Sequence, residues 1–185
     1  MKVYLTGSNG LIGSAIYKKF LEKGIDVMTL GRNNCDFFLD LNHFDQKLLK
    51  DIQSESIFIH CAGITDEEIA LNSEQAIRKS TTEFIKLAHF LKNSEIKKFI
   101  YVSSAHVYGD LNRIVDEDSK VSPQNLYGGL HYFTELYIRS LFEDHFIIRP
   151  NAVFGKPNET FKAAFLSYFL HSCFSSNTTW RRYRW

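Results

Sequence analysis

Three glycines carry the densest chemistry in this chain. Gly7, Gly10 and Gly13 stand in Thr6-Gly7-Ser8-Asn9-Gly10-Leu11-Ile12-Gly13, after the apolar run Lys2-Val3-Tyr4-Leu5 and before Ser14-Ala15-Ile16-Tyr17-Lys18-Lys19-Phe20-Leu21. A strand feeding a glycine-spaced loop that opens a helix is the context in which a dinucleotide diphosphate is held. Gly7 permits the tight turn, Gly10 lets backbone approach the diphosphate, and Gly13 lets helix and strand pack closely. The helix start then offers unpaired N–H groups to the phosphates. Thr6, Gly7, Asn9, Gly10, Leu11, Ile12 and Gly13 are the expected contacts. The alternative is a plain strand-to-helix connection.

The second strand end selects the dinucleotide. An acidic side chain there grips the ribose 2′-OH of NAD, whereas a basic one accommodates the 2′-phosphate of NADP. The sequence has Leu30-Gly31-Arg32, which favours NADP over NAD and leaves room for the adenosine at Gly31; a solvated surface arginine is the competing reading. Asp40 and Leu41 are candidates for the adenine edge, and Cys61-Ala62-Gly63 would let backbone approach the adenosine and its ribose. His60 reads as a packed strand-end histidine.

Further along stand Tyr101-Val102-Ser103-Ser104-Ala105-His106-Val107-Tyr108-Gly109, Tyr127-Gly128-Gly129 with Glu135 beyond, and Ile148-Arg149-Pro150 leading to Val153-Phe154-Gly155. In this order, behind the glycine loop, they resemble the extended short-chain dehydrogenase/reductase superfamily, in particular the NAD(P)-dependent epimerase/dehydratase family that modifies nucleotide sugars. The resemblance covers Met1 to about Gly155. It implies a Rossmann dinucleotide-binding domain, a nucleotide-sugar substrate, and hydride exchange assisted by a serine and a tyrosine. Carried over by motif, the serine is Ser104, with Ser103 the alternative should the alignment slip by one, and the acid/base is Tyr127. Pro150 joins the cofactor contacts. Without the resemblance, the serine pair reads equally as a strand end and Tyr127 as a residue opening a helix.

Three positions depart from the family pattern. His131, four residues after Tyr127, stands where the family has a lysine that binds the nicotinamide ribose and lowers the tyrosine pKa. Bringing a tyrosine from about 10 to near 7 takes roughly 4 kcal/mol. A full charge about 4 Å away supplies about that much at an effective dielectric near 20. Neutral imidazole does not, so weak catalysis or an acid-shifted optimum is expected; a histidine on the helix surface is the alternative. Next, the central stretch Ala76-Ile77-Arg78-Lys79-Ser80-Thr81 lacks the family's asparagine. Finally, Ala152 replaces the asparagine before the last glycine, with Asn151 one position early.

The elements that must position these residues follow from periodicity. Apolar runs alternate with helical segments, the pattern of an α/β fold with a doubly wound parallel sheet. Strands are expected at Lys2 to Thr6, Ile25 to Leu30, Cys35 to Phe38, Ser56 to His60, Lys98 to Ser103 and His145 to Ile148. The clearest helices are Ser14 to Lys23, closed by Gly24, Glu74 to Lys92, and Tyr127 to Phe142, with a long loop from Gly109 to Asn125.

Bulk properties agree with one such domain. The chain has 185 residues, 44% of them hydrophobic, and a formal net charge of +1, which gives no basis for nucleic-acid or membrane partners. No run of about 18 apolar residues is present, so the expected address is cytoplasmic. Cys35, Cys61 and Cys173 have no metal-ligand spacing and read as reduced thiols. The dinucleotide-binding domain is expected to span 1–157, followed by an amphipathic helix at 158–174 with an aromatic stripe and an irregular tail at 175–185. About thirty residues follow Gly155, where the family has a much longer substrate lobe. That reads as a truncation which exposes apolar surface and favours a homodimer.

Overall fold

Alternation of side chains sets the sheet. In β1 (Val3–Thr6), Val3 and Leu5 face one side and Tyr4 the other, as a period of two requires. The first pair joins Val27 and Ile59 against Ile16, Tyr17 and Phe20 of α1 (Leu11–Glu22). Tyr4 belongs to the larger cluster on the opposite face, with Phe58, Phe99, Leu87, Leu91 and Ile138. Helices therefore cover both faces. The computed structural model describes residues 1–49, 52–109, 114–151 and 153.

The remaining strands are β2 (Val27–Gly31), β3 (Phe37–Phe38), β4 (Ile57–His60), β5 (Lys98–Val102) and β6 (His145–Ile148). Their order is β3-β2-β1-β4-β5-β6, with every pairing parallel. Chain direction across the sheet reverses between β1 and β4, so a crevice opens at the carboxyl ends of those two strands, Thr6 and His60. This is the doubly wound sheet expected from the sequence.

Where elements differ from expectation, a local interaction accounts for it. The second strand begins at Val27 because the chain first completes the end of α1. The N–H of Gly24, at φ +65°, reaches the Leu21 carbonyl and that of Ile25 reaches Phe20, the Schellman arrangement foreseen for Gly24. The third strand shrinks to Phe37–Phe38 because the Asp36 carboxylate bonds the backbone and hydroxyl of Thr29, bending Cys35 and Asp36 off the ladder. The helix expected over Glu74 to Lys92 is three pieces: α3 (Ser73–Arg78), a π-helical segment (Lys79–Glu83) and α4 (Phe84–Asn93). Ahead of them lies an unforeseen short helix, α2 (Asp66–Leu71), started by a Thr65/Glu68 capping box.

After β5 the chain makes a 3-10 turn (Ala105–Tyr108), and α5 (Leu126–Leu141) leads into β6. No helix among the described residues is long and apolar enough to cross a membrane. The expected helix at 158–174 and tail at 175–185 lie outside the described residues, as does Ala152.

Candidate functional site

Helix caps reveal where an anion belongs. The side chains of Thr65, Asn72 and Asn125 cap α2, α3 and α5, each accepting a first-turn N–H. Helix α1 has Gly10 at its cap, no side-chain cap bond and no acidic residue in its first turn. Its N–H groups and positive dipole end are left to a ligand. The loop before it is fitted closely: Gly7 has φ +72°, and a Cβ on Gly13 would stand 2.1 Å from the Gly7 carbonyl oxygen. Only glycine at position 13 lets α1 lie this near its own entry turn.

Thr6, Gly7, Asn9, Arg32, Asp40, Leu41 and Ala62 line one cavity at this helix start. Thr6 ties the two strand ends together. Its hydroxyl lies 2.9 Å from His60 Nδ1 and accepts the Ala62 N–H at 3.2 Å. Burial, then Lys79 and His131, lower His60 to about 3. It is the packed strand-end histidine the sequence suggested. Arg32 is exposed and has no ion-pair partner among the described residues. Asp40 is occupied by the N–H and side-chain amide of Asn42. The Cys61 side chain turns into the α1-side core, and burial raises its thiol to about 12; Ala62, not Cys61, lines the cavity.

The second group of candidates forms along α5. Tyr127, His131 and Glu135 are four residues apart and share a helix face. The Tyr127 and His131 rings meet edge to face with centroids 4.6 Å apart. Ser103 and Ser104 have separate fates. Ser103 donates to the fully buried Glu135 at 2.6 Å, and Glu135 also holds Arg149. Ser104 caps the 3-10 turn through the His106 N–H, and the Tyr127 ring packs edge to face on His106 in that turn, with centroids 5.4 Å apart.

Electrostatics leave both rings uncharged at neutral pH. Burial raises the Tyr127 phenol; Ser104 opposes this, while Asp66 adds to it. Burial also lowers His131 to about 4, against the pull of Glu135 and with help from His106. His131 is thus a buried residue at 4% exposure, not a surface one. Its Nδ1 lies 2.6 Å from the Tyr101 hydroxyl, while its Nε2 is buried with no hydrogen-bond partner. An orphaned ring nitrogen of this kind is costly unless a ligand satisfies it. His131 lines a second cavity with Gly63, Leu41, His60 and Tyr101. A Cβ on Gly63 would meet the His131 ring at 3.4 Å, and Leu41, Ala62 and Lys79 line both cavities. Pro150 lines neither cavity; its carbonyl accepts the Ala105 N–H at the start of the 3-10 turn. No cluster suited to a metal ion exists among the described residues.

Three further features escaped the sequence reading. Asn125 as the cap of α5 was signalled by its place two residues before Tyr127. The Glu135–Arg149 pair had no local signal, since its members are 14 residues apart. Lys79 lines both cavities, a fact that only tertiary structure supplies.

Comparison with known proteins places this geometry in a family. A family model described as the RmlD substrate binding domain matches residues 1–173. The chain is 30% identical over 132 residues to methionine adenosyltransferase 2 subunit beta of Danio rerio, covering 69% of this chain and 40% of that protein. It is 31% identical over 195 residues to dTDP-D-glucose 4,6-dehydratase of Dictyostelium discoideum, covering 83% and 44%. Among solved structures, dTDP-4-dehydrorhamnose reductase of Bacillus anthracis in complex with NADP superposes with a TM-score of 0.73 at 22% identity, covering 92% of this chain and 58% of that one. At that identity the likeness establishes the fold. The chain spans roughly half the length of the curated relatives it matches. With its glycine loop, its 3-2-1-4-5-6 sheet and a match along residues 1–173, the chain belongs to the RmlD substrate-binding-domain family, within the extended short-chain dehydrogenase/reductases that its motifs resemble.

Proposed function

We propose that this chain is the coenzyme-binding portion of an NADP-linked oxidoreductase acting on a nucleotide-activated sugar. The observation that carries the reading is that the cavity at the uncapped α1 start and the cavity at His131, whose Nε2 is orphaned and whose ring meets Tyr127, share Leu41, Ala62 and Lys79. When bound, the nicotinamide coenzyme supplies hydride exchange with a sugar carbon. Thr6, Gly7, Asn9, Gly10, Leu11, Ile12 and Gly13 hold its diphosphate, and Arg32 faces the adenosine 2′-phosphate. Asp40, Leu41, Cys61, Ala62 and Gly63 border the adenosine side, with Pro150 behind the reacting end. His131 Nε2 gains its missing partner from a ribose hydroxyl. Ser104 holds the sugar oxygen, and Tyr127 moves its proton.

The protonation states favour one direction. A neutral phenol is ready to donate a proton to a carbonyl oxygen under reduction, while the phenolate needed to remove one is scarce. The resting states suit reduction of a sugar carbonyl better than oxidation of a sugar alcohol by the coenzyme, without fixing the net direction, and the reading remains an NADP-linked oxidoreductase. Calorimetric titration tests it: NADP binds more tightly than NAD, and Arg32→Asp reverses that order. Absence of binding to either at millimolar concentration overturns the proposal.

A second reading is a dinucleotide-binding module without turnover. It draws on the neutral His131 in place of lysine and on relatives named as subunit beta of methionine adenosyltransferase 2. NADP binding with no oxidation of NADPH by any dTDP- or UDP-linked keto sugar would select it.

A further inference from the structure

We infer that Lys79 is a coenzyme-positioning cation of this site, recruited from the central helix to the nicotinamide-side phosphate of the diphosphate. The inference rests on the coenzyme reading above and names a residue that the glycine loop and the Ser104–Tyr127 pair do not predict.

Its geometry is specific. The Lys79 ammonium, 13% exposed at the side chain, donates to the Gly63 carbonyl at 2.9 Å and sits 2.9 and 3.2 Å from the two Glu68 oxygens. Gly63 is the residue whose Cα faces the His131 ring, so Lys79 and His131 brace one glycine from two sides. Lys79 alone among the basic side chains of the described residues lines both cavities, the one at the glycine loop and the one beneath His131.

Charge gives the placement a purpose. A coenzyme diphosphate brings two negative charges into the crevice. The start of α1 supplies a partial positive charge and Arg32 stands at the adenosine end. Beneath His131 the cavity is lined by two histidines that burial keeps neutral, so Lys79 is the cation at that end. Glu68 receives the ammonium while its Oε2 also accepts the Thr65 N–H of the capping box, which fixes the carboxylate against Lys79. The π-helical segment begins at Lys79, and the widened turn sets the backbone from which the side chain reaches Gly63.

Two substitutions separate this role from a structural latch between α2 and the central helix. Lys79→Met removes the cation, Glu68→Gln removes the anion that competes for it, and a latch would lose strength equally in both. NADP affinity by calorimetry is expected to fall about tenfold in Lys79→Met, to be restored in Lys79→Arg, and to rise several-fold in Glu68→Gln. The salt dependence of NADP binding is expected to flatten in Lys79→Met. Should Lys79→Met fail to fold, the sign of the Glu68→Gln effect decides. Equal affinity in Lys79→Met and the unaltered chain, or weakening in Glu68→Gln, overturns the inference while leaving the coenzyme reading intact. An unaltered chain that binds neither NADP nor NAD overturns both.

Discussion

At the scale of single residues, the exchange at position 131 governs what the tyrosine can do. His131 lowered to about 4 carries no charge near neutrality, so in the proposed reading Tyr127, raised by burial, has no cation at that position to make its phenol acidic. The acid-shifted optimum expected from an ordinary histidine thus moves toward pH 4, below a useful range. His131→Lys is expected to raise kcat at pH 7 by at least about tenfold, since a recovered 1.4 kcal/mol already gives that factor. A pH–rate profile without gain at neutral pH in that variant would refute this. Tyr127→Phe should abolish turnover while leaving NADP affinity within about threefold, because the phenol contributes to chemistry more than to binding. Motif order and i, i+4 spacing made Ser104, Tyr127 and His131 legible as candidates, and the last two do share a face of α5. The burial of His131 was not legible, because a helix face becomes interior only when Tyr101 and Gly63 arrive from other strands.

At the scale of elements, two contacts fix α5 against the 3-10 turn that carries Ser104. Gly128 is one: a Cβ there would lie 2.4 Å from the His106 carbonyl oxygen, within the first turn of α5 and next to Tyr127. Gly128→Ala must therefore push α5 outward, at a cost of about 1–3 kcal/mol of stability and with a loss of kcat larger than the change in KM. Urea unfolding and steady-state kinetics on the same variant check both halves. The buried Glu135, joined to Arg149 and Ser103, is the other. Removing one partner of such a pair leaves an uncompensated charge, so Glu135→Ala is expected to destabilise by about 3–5 kcal/mol. A loss below about 1 kcal/mol in urea unfolding would contradict that assignment. Elements whose signals are local were readable: the Gly24 helix end in full, and the Thr65/Glu68 box in principle, although α2 was passed over. The π-helical break at Lys79 was not, since the residues Lys79-Ser80-Thr81-Thr82-Glu83 carry no pattern that distinguishes a widened turn from an ordinary one.

At the scale of the whole molecule, the strand order left no local mark, whereas the layering followed from alternation, because each strand had one set of apolar residues for each helical layer. The exception is β6, whose Phe146 and Ile148 are 59% and 40% exposed while Ile147 packs inward. The same global packing makes the fold a device that excludes protons. His60 is lowered to about 3 and His131 to about 4 from an ordinary 6.5, burial being the first cause of each. The unfolded chain binds protons at these sites where the folded one does not, so acid favours unfolding. Their contribution is complete above pH 6.5 and is lost as pH falls from there through 4 and then 3. At about 1.4 kcal/mol per pH unit separating folded and unfolded values, the two rings represent on the order of 3 to 5 kcal/mol apiece. Glu83 acts in the same sense at lower pH: burial works against its charge, but the Phe44 N–H, Lys86 and Arg78 prevail and hold its carboxyl below the ordinary 4.5. A domain of ordinary stability has about 5–15 kcal/mol to lose, so urea midpoints should decline steeply between pH 6.5 and 4. His60→Phe, which keeps an aromatic ring among Phe58, Phe84, Phe99 and Tyr101, should flatten that decline. An unaltered chain with the same urea midpoint at pH 7.5 and pH 4.5 would show that neither ring is sealed from solvent.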